Sequence, residues 1–230
     1  MKTNLSYDRT LLATAIAGFF HIVGLVGMLF FDRFFFASLT PFNLLLSFAL
    51  LVWVQEARSL RFFVFIVSCY VVGFFVEYLG VNYQLLFGSY QYVSMGLAVK
   101  QVPLIIGVNW FIIVYCCGAT ALYLLDFAAN KKWIATSRRS SGFKVVFFLF
   151  TGGLMATAFD WLMEPVAVHL NYWKWLPDGS IPMYNYVCWF GVSVLLLVLF
   201  KVLSLDQPNR FARHLLLIQT LFFFILRMAI

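Results

Sequence analysis

Long apolar stretches separated by short polar segments dominate the chain. Each stretch holds about 17 to 24 residues, enough for a helix that rises 1.5 Å per residue to cross a hydrocarbon core about 30 Å thick. In lipid such a stretch must be helical, because every backbone polar group needs a partner within the segment. The pattern predicts about seven transmembrane helices, at Thr10–Phe31, Leu39–Gln55, Phe62–Leu79, Pro103–Asp126, Phe143–Met163, Pro182–Val202 and Phe211–Ala229.

The overall composition agrees with this pattern. Of the 230 residues, 63% are apolar and 11% are charged, and the mean hydropathy is +0.93. A soluble domain is about 45–50% apolar and about 25% charged, so a water-soluble globule and a disordered chain are both excluded. We therefore expect an all-α integral membrane protein, with residues 1–230 forming a single polytopic domain.

Basic residues are distributed unevenly between the two sets of loops. One set contains Lys2, Arg9, Arg58, Arg61, Lys131, Lys132, Arg138, Arg139, Lys144, Lys201, Arg210 and Arg213. The other contains Arg33, Lys100, Lys174 and Arg227. By the positive-inside rule the first set is cytoplasmic, which predicts a multi-pass protein of the cytoplasmic (inner) membrane with a cytoplasmic N-terminus. In this setting the net charge of +7 indicates contact with anionic membrane lipids and no role for nucleic acid.

Two parts of the chain share one layout, in which an apolar span ends in a glutamate and is followed by an aromatic doublet and a span that begins with proline. The predicted repeat units are residues 62–126 (helices 3 and 4) and 143–202 (helices 5 and 6). Val102–Phe111 and Ile181–Phe190 match at Pro, Val, Trp and Phe without a gap. Both units run in the same direction, so the repeat is parallel, and such repeats often bracket a shared site. Chance similarity between apolar sequences is the alternative.

Three carboxyl groups are the leading candidates for catalysis. Glu77, Asp160 and Glu164 lie near the outer ends of predicted spans, where a buried carboxylate is costly and usually functional. Asp160 and Glu164 are four residues apart and share one helical face. Two such groups in a low dielectric do not both ionise easily, which favours one protonated group that acts as a general acid. Alternatively, each group is hydrated and paired with Lys174 or Lys100.

Aromatic and amide side chains near these acids are candidates for substrate binding. The aromatic ones would line a pocket for a long polyene or stabilise a carbocation by cation–π attraction, or form an interfacial aromatic belt. The amides would orient a water or a carboxyl group, or join two helices. The predicted binding residues are Tyr90, Tyr92, Asn109, Trp110, Trp161, Trp173, Trp175, Asn185 and Trp189.

Metal and cofactor motifs do not occur in the sequence. There is no CxxC, HxxxH, GxxxxGK[ST], GxGxxG or DDxxD pattern, and the last span has no lysine for a retinal Schiff base. His169, Glu164 and Glu77 are one candidate metal set, but no HxxxH or ExxH pattern supports it. His21, in the middle of the first span, is expected to hydrogen-bond a helix neighbour. We predict neither a metal nor a cofactor.

Several of these segments together resemble the membrane carotenoid hydratases, a family that includes carotenoid 1′,2′-hydratases and the C50 bisanhydrobacterioruberin hydratase. The resemblance extends from about Phe62 to Phe200. The segments that carry it are Glu77–Tyr83, Phe87–Tyr92, Val102–Trp110, Asp160–Ala167, Tyr172–Trp175, Ile181–Tyr186 and Trp189-Phe190. The sequence departs from the family at Tyr83-Gln84, where small residues such as Thr-Gly are expected, and near Gln101, where a glycine is expected.

The resemblance implies cofactor-independent hydration of an acyclic ψ end group in carotenoid biosynthesis. The substrate would be γ-carotene, lycopene or a C50 analogue from the lipid phase, and other enzymes of the pathway are possible partners. Protonated Asp160 or Glu164 would protonate C2′, water would add at C1′, and the other carboxylate or Glu77 would accept the proton of the water. Which carotenoid reacts, whether both ends react, and the oligomeric state stay open.

Two other functions are compatible with the sequence. An integral-membrane lycopene cyclase also begins by protonating the alkene, but its Pro-x-Glu-Glu pattern is replaced here by Glu164-Pro165. A non-catalytic protein that binds or transports carotenoids would use the intramembrane acids for proton coupling. Its helices would be expected to carry mid-span Gly/Pro interruptions, whereas the prolines here lie at the starts of spans.

Overall fold

The protein is described here from a computed structural model for residues 2–133, 141–206 and 209–229. Arg138, Arg139 and the middle of the predicted basic loop lie outside these residues. The described residues form eight helices and four short strands. In chain order these are α1 (Lys2–Phe30), α2 (Arg33–Ser38), α3 (Thr40–Val54), α4 (Leu60–Tyr83), β1 (Tyr90–Tyr92), β2 (Ala98–Val99), β3 (Val102–Pro103), α5 (Ile105–Asn130), α6 (Ser141–His169), β4 (Trp173–Trp175), α7 (Met183–Val202) and α8 (Arg210–Ala229).

Six of the helices, α1, α4, α5, α6, α7 and α8, are long and apolar enough to cross a membrane. The prediction of an all-α, multi-pass membrane protein is therefore confirmed. The second predicted span corresponds to α3, which has 15 residues and is shorter than the about 20 residues that a perpendicular crossing needs. The number of crossings and the side that faces the cytoplasm stay predictions.

Helix α5 lies at the centre of the bundle and contacts α3, α4, α6, α7 and α8. Its sequence is apolar on every side, which is typical of a helix buried on all faces. Phe111 and Tyr115 stack within α5, and Phe65 of α4 and Phe200 of α7 meet edge to face beside them. The core around α5 therefore includes a group of aromatic rings that contact one another.

Helix α3 is fixed at both of its ends by polar side chains. At its start, Thr40 Oγ1 hydrogen-bonds Tyr172 Oη at 2.5 Å. Just after its end, Gln55 Oε1 accepts hydrogen bonds from Tyr115 Oη at 2.6 Å and from Asn209 Nδ2 at 2.8 Å. These contacts tie α3 to the loop after α6, to α5 and to the start of α8.

We expect Asn209→Ala to lower the free energy of unfolding by about 1–3 kcal/mol, because it removes three buried hydrogen bonds, to Gln55, to Tyr115 and from the backbone of Ala212. Besides its bond to Gln55, Asn209 accepts the backbone N–H of Ala212 at 2.9 Å and so caps α8. Thermal unfolding in detergent can be followed with a thiol-reactive dye, since Cys69, Cys116, Cys117 and Cys188 are free and buried. Exposed Asn130→Ala is the control, and equal stability of the two variants would contradict the prediction.

Helix α6 continues past the end that the sequence predicted. The predicted span stops at Met163 and its loop begins at Pro165, but the helix extends through Pro165 to His169. Proline has no N–H for the carbonyl of Trp161, four residues earlier. That carbonyl instead accepts a hydrogen bond from Arg227 Nη1 at 2.8 Å, and the guanidinium lies 4.0 Å from the Trp161 ring centre. A contact with α8 thus replaces the lost helical bond.

Candidate active site

The two aromatic doublets of the sequence meet in a short antiparallel pair of strands. In β1 and β4, Tyr90 lies opposite Trp175, Tyr92 lies opposite Trp173, and Gln91 lies opposite Lys174. Side chains two residues apart in a strand point to the same face. The two tyrosines and two tryptophans therefore share one face of the pair, and their ring contacts join the two doublets.

The Tyr doublet hydrogen-bonds the glutamate of α4. Glu77 Oε2 accepts from Tyr90 Oη at 2.5 Å and from Tyr92 Oη at 2.8 Å, and Oε1 accepts from Trp110 Nε1 at 3.0 Å. Burial, reinforced by the Glu77 carboxyl, raises the pKa of both phenols well above their usual range. Both phenols therefore keep their protons and act as donors to Glu77.

The Trp doublet holds the glutamate of α6 in the same way. Trp173 Nε1 and Trp175 Nε1 donate to Glu164 Oε2 at 3.0 Å and 2.9 Å. An indole N–H can only donate, so both tryptophans need an acceptor, and Glu164 Oε2 is that acceptor. Each glutamate is thus positioned by the aromatic doublet that follows it in the chain.

Asp160 accepts fewer hydrogen bonds than Glu77 or Glu164. It is fully buried, and Asn185 Nδ2 of α7 donates to its Oδ2 at 2.7 Å. Its Oδ1 is also buried and has no hydrogen-bond partner in the described part of the protein. A buried carboxyl oxygen without a partner is rare in native proteins and suggests a chemical role.

The three acids line one small pocket with a volume of about 20 Å³. Glu77, Asp160 and Glu164 are 4%, 0% and 3% exposed, respectively. Among the described residues, the lining of this pocket contains no basic side chain, and Lys174 and Lys100 are exposed. The alternative of hydrated acids paired with these lysines is therefore wrong. The lining consists of Glu77, Phe87, Tyr90, Tyr92, Ile106, Asn109, Asp160, Met163, Glu164, Trp173, Trp175, Asn185 and Trp189.

A second pocket of about 300 Å³ adjoins the first. Ile106, Asn109, Met163 and Trp173 line both pockets, so they form the boundary between them. The wide pocket is mostly apolar, and the rest of its lining comes largely from α1, α2, α3 and α8. Exposed side chains of α1 and α3, including Phe20 and Phe42, form part of it. The acids therefore lie beside a wide, mostly apolar pocket whose wall includes exposed apolar side chains.

The structure brings together nearly all the residues that the sequence selected. All three acids and the predicted binding residues Tyr90, Tyr92, Asn109, Trp173, Trp175, Asn185 and Trp189 line the small pocket. Trp110 lies behind it and stacks on Trp189, with ring centres 4.0 Å apart and planes 12° apart. Trp161 lies outside this group, because its half-exposed ring packs under Arg227. The catalytic and binding roles of all these residues stay predictions.

Two histidines that the sequence considered lie outside the small pocket. His21 Nδ1 hydrogen-bonds the carbonyl of Ala17 at 2.7 Å, so the expected bond to a helix neighbour is confirmed. His169 Nε2 contacts Arg33 Nη1 and does not join the carboxyl groups. In the part of the chain that the structure describes, no three His, Cys, Asp or Glu side chains are grouped as metal ligands.

Sequence reasoning missed three residues of the small pocket and the polar part of the wide pocket. Met163 lies three residues after Asp160 on the same helical face, a signal that was available. Phe87 and Ile106 carried no distinguishing signal. The polar residues of the wide pocket on α1, α3 and α8 are His21, Thr40, Asn43 and Gln219, and all four lie outside the segment that resembles the hydratases.

The two departures from the expected motifs fall at unusual backbone positions. Gln84 and Gln101 both have a positive φ, at 55° and 65°. Glycine adopts this left-handed conformation without steric cost, which explains why a glycine is expected at or near these places. Gln84 ends α4, where its N–H bonds the carbonyl of Gly80 at 2.9 Å.

Comparison with known protein families gives one match. The family model described as "Carotenoid biosynthesis protein" matches residues 38–230, which include α3, all residues that line the small pocket, and α8. No match to the chain was found among the curated proteins or among the solved structures. Because the match extends over most of the chain, this multi-pass membrane protein belongs to the carotenoid biosynthesis protein family and has a role in carotenoid biosynthesis.

Proposed function

We propose that the protein is a hydratase that adds water to the terminal C1′=C2′ double bond of an acyclic ψ end group. The product is a tertiary 1′-hydroxy carotenoid, and the substrate is γ-carotene, lycopene or a C50 analogue. No cofactor takes part. The proposal also places the protein in the cytoplasmic (inner) membrane, with its substrate supplied by the lipid phase and by other enzymes of the pathway.

The observation that carries the proposal is the environment of Asp160. Its Oδ1 has no partner among the described residues, and the pocket that it lines, at about 20 Å³, matches the space of about 10–15 Å³ or more that a single water requires. An acid, room for one water and an adjoining hydrocarbon pocket are the elements that hydration of an alkene needs. A cyclase needs no water at this place.

The proposed reaction begins with proton transfer from Asp160 to C2′. The π electrons form the new C–H bond, and the positive charge moves to C1′, where it is tertiary. The surrounding rings, including Trp173 and Trp189, stabilise this cation through their negative faces. Water adds its oxygen to C1′ and loses a proton to a carboxylate. The net change is the addition of one water.

Glu164 is the proposed base, with Glu77 as the alternative. Glu164 lies one helical turn from Asp160, so a proton taken from water can return to Asp160 after the reaction. Glu77 already accepts three hydrogen bonds, which makes it the weaker base and the better fixed negative charge. Three carboxyl groups without a basic partner cannot all be ionised at low cost, and this favours a neutral Asp160.

The proposal predicts a product that is heavier than its substrate by one water. Cells that accumulate lycopene, γ-carotene or a C50 analogue would express the protein, and extracted pigments would be analysed by liquid chromatography with mass detection. In D2O the product should carry one carbon-bound deuterium, because Asp160 exchanges its proton with solvent. A product of unchanged mass with a shifted absorption spectrum would support a cyclase. No new pigment with any of the three substrates would contradict both enzymes and favour a binding protein.

A further inference from the structure

The guanidinium of Arg213, near the start of α8, has no hydrogen-bond acceptor in the part of the chain that the structure describes. It lies 3.8 Å from the centre of the Tyr123 ring of α5, and the side chain is half-buried. Arg227, at the other end of α8, also lies over a ring, but it donates to the Trp161 carbonyl at 2.8 Å. Because a guanidinium carries five N–H donors, Arg213 needs an acceptor from outside the described chain.

A second cation lies close to the ring that Arg213 covers. Lys131 follows the end of α5, and its Nζ is 5.9 Å from the centre of the Phe127 ring. Tyr123 and Phe127 are four residues apart on α5, and their ring centres are 6.4 Å apart. Two cations therefore flank one pair of rings, and we call Tyr123, Phe127, Lys131 and Arg213 the basic–aromatic patch.

The positive charge of the patch is not neutralised by the described residues. The ion pair that they form, between Lys201 and Asp206, includes no residue of the patch. Asp126 of α5 is exposed and forms no ion pair with Lys131 or Arg213. The dipole of a helix disfavours a cation near the helix start, so the charge of Arg213 does not stabilise α8. The patch therefore calls for an anion that comes from outside the bundle.

The patch lies at the polar end of an exposed apolar face of α8. Leu217, Leu221 and Phe224 follow Arg213 at helical spacing and are 58%, 50% and 52% exposed. Because α8 is long and apolar enough to cross a membrane, this face would contact acyl chains, and Arg213 would lie at headgroup depth. Trp133, which is 73% exposed and contacts the Phe127 ring, is of the residue type that gathers at this depth.

We infer that the basic–aromatic patch binds the phosphate of an anionic phospholipid. Arg213 donates to the phosphate oxygens, whose geometry a guanidinium matches, and the Tyr123 ring holds the guanidinium in place. Lys131 adds attraction for the negative headgroup, and an acyl chain lies along Leu217. The net charge of the chain predicts only a diffuse attraction to such lipids, whereas the patch is one defined site. It lies at the opposite end of the bundle from the three acids and takes no part in the proposed reaction.

Lipid binding to the purified protein tests the inference. Native mass spectrometry in detergent gives the dissociation constants of phosphatidylglycerol and of phosphatidylcholine with the same acyl chains. We expect phosphatidylglycerol to bind about fivefold more tightly, the effect of about one basic side chain at a lipid surface. Arg213→Gln should remove most of this preference, and Arg213→Lys, which keeps the charge, should retain part of it. The matched control is Arg61→Gln, which removes the same charge from an exposed side chain at the start of α4 and should leave the preference unchanged.

A further variant and a competitor make the outcomes distinct. Lys131→Gln changes an exposed side chain beyond the end of α5 and should lower the preference by less than Arg213→Gln does. Thermal unfolding checks each variant, and if Arg213→Gln does not fold, Lys131→Gln and Arg213→Lys decide the question. Equal affinity of the wild type for the two lipids would overturn the inference. Equal losses in the Arg213→Gln and Arg61→Gln variants would overturn it in favour of diffuse charge. Displacement of the lipid by inorganic phosphate, but not by chloride of equal ionic strength, would overturn it in favour of a site for free anions.

Discussion

Asp160→Asn should abolish formation of the hydroxylated carotenoid while the protein stays folded. An amide at this position has no acidic proton to give to C2′, and no other acid of the described pocket has a buried oxygen that lacks a partner. General acid catalysis contributes about 10²- to 10⁴-fold to a rate, so we expect a loss of at least this order. The measurement is product per unit of protein in pigment-accumulating cells, together with thermal unfolding of the purified variant.

Glu164→Gln should also abolish hydration, for a different reason. The two indole N–H groups still find an acceptor in the amide oxygen of the new side chain, so the pocket keeps its shape, but the base is lost. Glu77→Gln should reduce the rate less if Glu77 is only a fixed charge. Asp126→Asn, an exposed carboxyl on α5, is the control and should behave as wild type. Wild-type amounts of product from both Asp160→Asn and Glu164→Gln would contradict the proposed mechanism.

Gly73→Ala is expected to disrupt the packing behind the small pocket. A Cβ at position 73 would lie 2.5 Å from both Cβ and Cγ of Trp110, far inside van der Waals contact. Trp110 would have to move, which would break its hydrogen bond to Glu77 and its stacking on Trp189. Overpacking of this kind costs about 1–3 kcal/mol, and product formation should fall with it.

The matched control is Gly191→Ala in α7. A Cβ there would meet no atom within 4 Å, and alanine fits a helix at least as well as glycine does. Thermal unfolding and product yield should both stay at the wild-type level. If Gly73→Ala and Gly191→Ala were equally stable and equally active, the packing of Trp110 against α4 would not matter for the site.

Gly73 marks a position at which the two predicted repeat units differ. It precedes Glu77 by four residues, as Asp160 precedes Glu164. Trp110 fills the space at Gly73, so the first predicted unit has no room for an acid at this position. The parallel repeat stays a prediction, but it would make Asp160 the main difference between two otherwise similar arrangements of a glutamate and an aromatic doublet.

Contacts between residues far apart in the chain could not be predicted from the sequence. The sequence placed Trp161 with the other tryptophans because it adjoins Asp160, yet its ring faces outward to Arg227. Neighbours in a helix point about 100° apart, so adjacency in sequence says little about a shared pocket. The predicted end of α6 was wrong for a similar reason. Arg227 of α8 hydrogen-bonds the Trp161 carbonyl that Pro165 leaves without its helical partner, and the helix continues.

The sequence by itself determined that this is a helical membrane protein with three acids and an aromatic set at one depth. Those features follow from the length of apolar runs, the cost of burying charge and the four-residue spacing of a helical face, all of which are local. Only the tertiary structure decided which side chains hydrogen-bond each acid, and that Asp160 Oδ1 has no partner among the described residues. It also decided that α1, α3 and α8 contribute to a wide pocket whose wall includes polar side chains. These facts depend on contacts between segments far apart in the chain, whose packing no local pattern encodes.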